Sequence, residues 1–168
     1  MAGGQKKVIL RRNSGELSWG YLPQSGFVAD GAVQFLDIDG RVIPLPMIEI
    51  QMISYVKDFN LEDGLDPERI GRREFLGRPR GEGLWLKVAF MSGWTLEGVA
   101  HFDTGFLDGL VEDLGFTMTV PEARSNTQRV FVPRAAIEKL EVLGYIGAAP
   151  AKRKVMEAMV AQPGLFGE

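Results

Sequence analysis

His101 and Asp103 stand two residues apart on a stretch that alternates like a strand, so both side chains share one face. A histidine base beside a carboxylate that orients it is the pairing proton transfer asks for. His101 is the one histidine in 168 residues, and a lone strand histidine is more often structural. The pair is therefore a binding candidate, and no catalytic residue is assigned. Asp103, Asp108, Glu112 and Asp113 gather acid in one segment that would suit a hard cation. The fixed spacing of a calcium loop is missing, so a solvated loop and no metal are expected. The chain has no cysteine, which removes disulfides, thiolate metal sites and cysteine nucleophiles. Ser14, Ser25, Ser92 and Ser125 fall in turns, and none sits in a nucleophile elbow. The glycines near Arg80-Gly-Glu-Gly83 precede a strand and lack the helix that completes a phosphate cradle. An enzyme is not expected, and no cofactor is implied.

The candidates for binding are charged and aromatic. Between residues 58 and 83 acids come first, then Arg69, Arg72, Arg73, Arg78 and Arg80. Such a cluster suits phosphates or an acidic partner; the alternative is a face that pairs with the neighbouring acids. Asp66-Pro67 is a helix start, with a capping carboxylate and a proline in the first turn, so a short helix is expected from Pro67 to about Phe75. Trp94 follows Gly93 in a turn, where a large exposed ring marks a contact surface and a buried one closes a core. A net charge of −3 supplies no general attraction to a phosphate backbone.

These residues hang on a pattern that occurs twice. Ser14-Gly15 falls on Ser92-Gly93 and Gly20 on Gly98, an offset of 78, while Pro46, Ile50 and Ile53 fall on Pro133, Ile137 and Leu140, an offset of 87. Two copies are too few for a solenoid, so each reads as a small domain. Alternation and turn residues place strands at Val8–Asn13, Leu17–Leu22, Ala32–Ile38, Arg41–Leu45 and Ile50–Val56. The second copy repeats them at Leu84–Met91, Thr95–Phe102, Leu114–Val120, Arg129–Pro133 and Ile137–Leu143. The expected organisation is a first barrel over 6–57, a charged linker over 58–83, a second barrel over 84–146 and an amphipathic helix over 150–162.

Leu86 to Gly93, Leu96-Glu-Gly98 and Phe102-Asp103, followed by Val130-Phe-Val132, Pro133-Arg-Ala135 and Ile137 to Leu140, resemble the Sm-like proteins. That resemblance implies a mainly β chain of two tandem five-stranded Sm-like or SH3-like barrels, with edge-to-edge association and a bent strand at Gly98. It does not imply the family's RNA pocket. Leu107 stands where an Asn would read a base, and neither Pro133-Arg134 nor Pro46-Met47 supplies the Arg-Gly that follows the fourth strand. The pattern also resembles uncharacterised bacterial domains with a strand-Gly-strand unit followed by Val-Phe-Val-Pro-Arg.

In the last segment Val155 and Met159, and Met156 and Val160, recur at helical spacing opposite Lys152, Arg153 and Lys154. Three basic residues in a first turn oppose the helix dipole, so that end frays unless an acidic surface covers it. The apolar face either packs on a barrel or docks on a partner, with Leu165-Phe166 as an anchor. No apolar run reaches the roughly 18 residues of a membrane helix, and the start lacks a secretory stretch, so a cytoplasmic protein is expected. The expected function is a non-catalytic interaction module that binds a protein partner or its own kind. RNA or nucleotide binding through the arginines is the alternative.

Overall fold

The apolar positions alternate where strands were expected, and they fold as strands. The computed structural model describes residues 4–23 and 26–147, so the helix expected over 150–162 lies outside the described residues. The first half forms β1 (Lys6–Arg12), β2 (Leu17–Leu22), β3 (Val28–Ala29), β4 (Ala32–Asp37), β5 (Val42–Pro46) and β6 (Ile50–Val56). The second forms β7 (Gly83–Phe90), β8 (Thr95–Ala100), α1 (Thr104–Val111), β9 (Gly115–Thr119), β10 (Thr127–Pro133) and β11 (Ile137–Ile146). The chain is mainly β, and every strand pairing is antiparallel.

The two halves use the same local devices. In the β1–β2 turn Arg12 N–H donates to Glu16 O and Gly15 N–H to Arg12 O, both at 2.9 Å; in the β7–β8 turn Phe90 donates to Trp94 O and Gly93 to Phe90 O, both at 2.8 Å. Gly15 and Gly93 each stand at φ +93°, a conformation that side chains disfavour. After Pro46 and Pro133 the chain makes one 3-10 turn, Met47–Glu49 and Arg134–Ala136. The last carbonyl of each turn receives the first hairpin, from Asn13 N–H at 2.9 Å and from Met91 N–H at 2.8 Å.

Two separately closed barrels are not what the strands build. They run as one open sheet in the order β11-β7-β8-β9-β10-β6-β1-β2-β4-β3, with β5 on β4. Closing either half would need its fourth principal strand to meet its last across the 3-10 turn. Instead β6 of the first half pairs with β10 of the second, Ser54 opposite Val130 and Ile53 opposite Phe131. Apolar residues gather in two clusters, one per half, but the join exchanges a member each way. Met52 of β6 packs among second-half residues, and Phe131 of β10 among first-half residues.

The linker helix expected from Pro67 to Phe75 does not form. Its carbonyls accept from second-half side chains instead of from helical N–H groups: Asn126 Nδ2 donates to Pro67 O at 2.7 Å, Thr127 Oγ1 to Glu68 O at 2.7 Å and Ser125 Oγ to Arg69 O at 3.3 Å. Arg69 adopts φ +56°, which ends any α-helical run there. Asp66 does not cap either. Asp63 Oδ1 takes the N–H groups of Leu65 at 3.1 Å and Asp66 at 3.0 Å, and these bonds, with the Arg69 charge beside it, hold its carboxyl below the usual range.

Candidate functional site

The segment read as an acidic loop is the one α-helix among the described residues. Asp103 is its N-cap, with Oδ1 accepting from Phe106 N–H at 3.0 Å. At the other end Asp113 takes φ +59°, Asp113 N–H reaches Leu110 O at 3.5 Å and Leu114 N–H reaches Gly109 O at 2.8 Å, which is a Schellman closure. Glycine is required on the inner face: a Cβ on Gly109 would fall onto the carbonyl oxygen of Gly115. The helix therefore lies directly on the start of β9.

Between α1 and the strand β3 runs a groove of about 460 Å³ at the junction of the halves. Its floor is aromatic. Phe106 and Phe116 approach to 5.1 Å between centroids, and Phe131 meets Phe27 edge to face at 5.2 Å. Its rim is acidic, from Asp103, Asp108 and Glu112, and His101 also lines it. These carboxylates are exposed, and among the described residues no three His, Asp or Glu side chains converge as metal ligands would. Beside the groove α1 leaves Leu107 and Val111 in solvent, and Phe102 precedes it, also exposed. The site offers an apolar slot under negative charge.

His101 and Asp103 both line the groove, and Asp103 also caps α1 through Oδ1. Arg69 pairs with Asp63 at 3.4 Å and Arg72 with Glu122 at 2.6 Å. Arg73 lies over the Trp94 ring at 4.5 Å, and Arg78 donates to Tyr145 O at 3.3 Å. Trp94 itself is half-buried against Phe90, 5.9 Å between centroids, as part of the second core. A second, polar cavity of about 540 Å³ lies between the two hairpin turns, bounded by Gly15, Gly93, Arg73 and Trp94. Beside it Glu68, 2% exposed, receives both Nε and a terminal nitrogen of Arg11, at 3.0 and 2.7 Å. That fork fastens the linker to β1.

At the join Arg129 stacks 4.9 Å from the Tyr55 ring, whose hydroxyl donates to Pro23 O at 2.9 Å. Burial pushes the Tyr55 hydroxyl up to about 12, against the pull of the Arg129 charge. Sequence reasoning placed the acids of the groove but missed the helix that carries them. The signals were Asp103 three residues before Phe106, and Phe106 with Leu110 and Leu107 with Val111 at helical spacing. Gly105 and Gly109 masked them.

Among the described residues no helix is long and apolar enough to cross a membrane. No curated protein and no solved structure matches the chain. Residues 4–144, which span both halves and the groove between them, match a family of unknown function, DUF6982, and the chain belongs to that family.

Proposed function

We propose that this protein is a non-catalytic binding module whose groove beside α1 receives a segment that is apolar on one side and basic on the other. One observation carries the reading: an aromatic floor, built from both halves, lies beneath a rim of three exposed carboxylates. A helix laid in such a slot buries its apolar stripe and sets its cations against the rim. The recurring turn bonds and 3-10 turns support a reading in which two copies of one Sm-like unit have joined edge to edge through β6 and β10. The nucleic-acid alternative draws less support, since Arg69, Arg72 and Arg73 are each engaged within the fold.

The test is calorimetric titration with two synthetic helical peptides that share one leucine stripe, one lysine-rich and one glutamate-rich. The lysine peptide is expected to bind the full chain at least tenfold more tightly, and Asp108→Lys with Glu112→Lys to abolish the difference. Equal binding of both peptides, or an unchanged preference in the double variant, removes the groove reading.

A further inference from the structure

Strand β6 buries an amide. Gln51 is 6% exposed, whereas its counterpart at the offset of 87, Glu138, lies in solvent on β11. A primary amide carries two donors and an acceptor, and buried polar groups are nearly always partnered. Among the described residues the Gln51 side chain has no hydrogen-bond partner. Asn126, the other buried amide, is the contrast: its Nδ2 donates to Asp58 O and Pro67 O at 3.0 and 2.7 Å, and its Oδ1 accepts from Asp58 N–H at 2.9 Å. The sealed side-chain atoms without a partner are Arg12 Nε and Ser54 Oγ. The Gln51 amide is not sealed, and it lines the polar cavity of about 540 Å³ between the two hairpin turns.

Two charges on the same cavity are also unspent. Arg73 lays its guanidinium over the Trp94 ring, which leaves the N–H donors in its plane available, and among the described residues it pairs with no carboxylate. Asp66 pairs with no cation, Arg73 included, although both line the cavity. The remaining charges there, Arg11 and Glu68, close on each other through two bonds. The lining thus holds one open cation and one open anion and sums to zero, which gives a polyanion no general attraction. Trp94 offers no platform to a flat base either, since its ring already carries Arg73 and packs on Phe90. The wall that bears Asp66 is held in place, because the next two carbonyls, of Pro67 and Glu68, accept from Asn126 and Thr127 at 2.7 Å.

We propose that this cavity is a second binding site, for a small zwitterion of the amino-acid class. The ligand sets its carboxylate against Arg73 and its ammonium against Asp66, through charge-assisted hydrogen bonds, and a further polar group against the Gln51 amide. The cavity volume falls in the range of small-molecule sites, about 300 to 1,000 Å³. This site is separate from the groove beside α1 and does not rest on the reading given for it.

The test is an NMR titration of the full chain with each of the common L-amino acids in turn, following the side-chain amide signals of Gln51 and the indole N–H of Trp94. At least one amino acid is expected to shift both signals saturably, with a Kd of about 1 mM or tighter. For the amino acid that binds best, the decarboxylated amine and the deaminated acid should each bind at least about tenfold more weakly. Arg73→Gln should weaken the amino acid by a similar factor and leave the decarboxylated amine unaffected, while Asp66→Asn should do the converse with the deaminated acid. Both residues are exposed, so these variants keep the core intact, which an unchanged thermal unfolding midpoint would verify. If no amino acid moves the two signals, the cavity is only solvated space and the proposal falls. It falls equally if acetate or inorganic phosphate shifts them as strongly as the best amino acid, which would mark a site for simple anions, or if neither substitution alters binding.

Discussion

Strands β6 and β11 occupy the same place in their halves, yet one is a buried joint and the other a free margin. Every residue of β6 is buried, while β11 is buried only at its two ends, Ile137 and Ile146. At the offset of 87, Met52 corresponds to Lys139 and Ser54 to Glu141. The charges on β11 keep that edge in water, a common guard against unwanted strand pairing. The partner edges differ in the same way. Arg134 N–H donates to Leu114 O at 3.1 Å, and this alternation turns the N–H of Phe131 from β9 towards β6. In the first half Met47 N–H donates to Gly31 O and Asp37 N–H to Arg41 O, both at 2.9 Å, so the nitrogens of residues 42, 44 and 46 face outward. Two of these are Pro44 and Pro46, which have no hydrogen to offer. Two similar units thus meet different ends because a few residues permit pairing at one edge and forbid it at the other.

Giving β6 the residue that β11 carries should have the largest effect. Met52→Lys places an ammonium without a partner in the second core and is expected to cost about 4 kcal/mol in denaturant unfolding. Lys139→Met, on the exposed strand, should change stability by less than about 0.5 kcal/mol. Matching losses at the two positions would show that the halves do not differ as described.

Glycine gives the next largest contrast. A Cβ on Gly20 would strike the backbone oxygen of Leu36, whereas one on Gly98 would meet the flexible side chain of Met118. Gly20→Ala should therefore cost about 3 kcal/mol and Gly98→Ala about 1 kcal/mol, measured by thermal or urea unfolding. A reversed order would mean that the first half yields more easily at its bend than its packing implies.

The smallest effect is on association. Pro44→Val restores one outward donor on β5, and Lys139→Val with Glu141→Val removes the guards on β11. Together they should make the light-scattering mass rise with concentration, by pairing β5 of one molecule with β11 of another. A mass that stays constant over a hundredfold range would show that proline and charge are not what keeps these edges apart.

Much of the architecture was legible in the residues. Alternation, the turn glycines and the prolines after the fourth strands placed ten strands, because those signals act within a few residues. The linker misled because its local helix signal at Asp66-Pro67 is real, but Asn126 and Thr127, nearly sixty residues away, take its carbonyls. The acidic segment misled in the opposite sense, since Gly105 and Gly109 weaken a helix by propensity while allowing it to lie against Gly115. Of the candidates, Asp103, Asp108, Glu112 and His101 come together at the groove, while Arg73 and Trp94 are drawn into the linker packing.

The strands, their turns and the likeness of the two halves follow from side-chain alternation and backbone freedom over short spans, so the residues alone carry them. Long-range packing sets the rest: β6 takes β10 and not its own neighbour, Phe131 and Met52 change cores, and a groove opens where the halves meet. Those outcomes depend on which edges can donate hydrogen bonds and which apolar faces remain uncovered once the strands exist, quantities that no local stretch of residues carries.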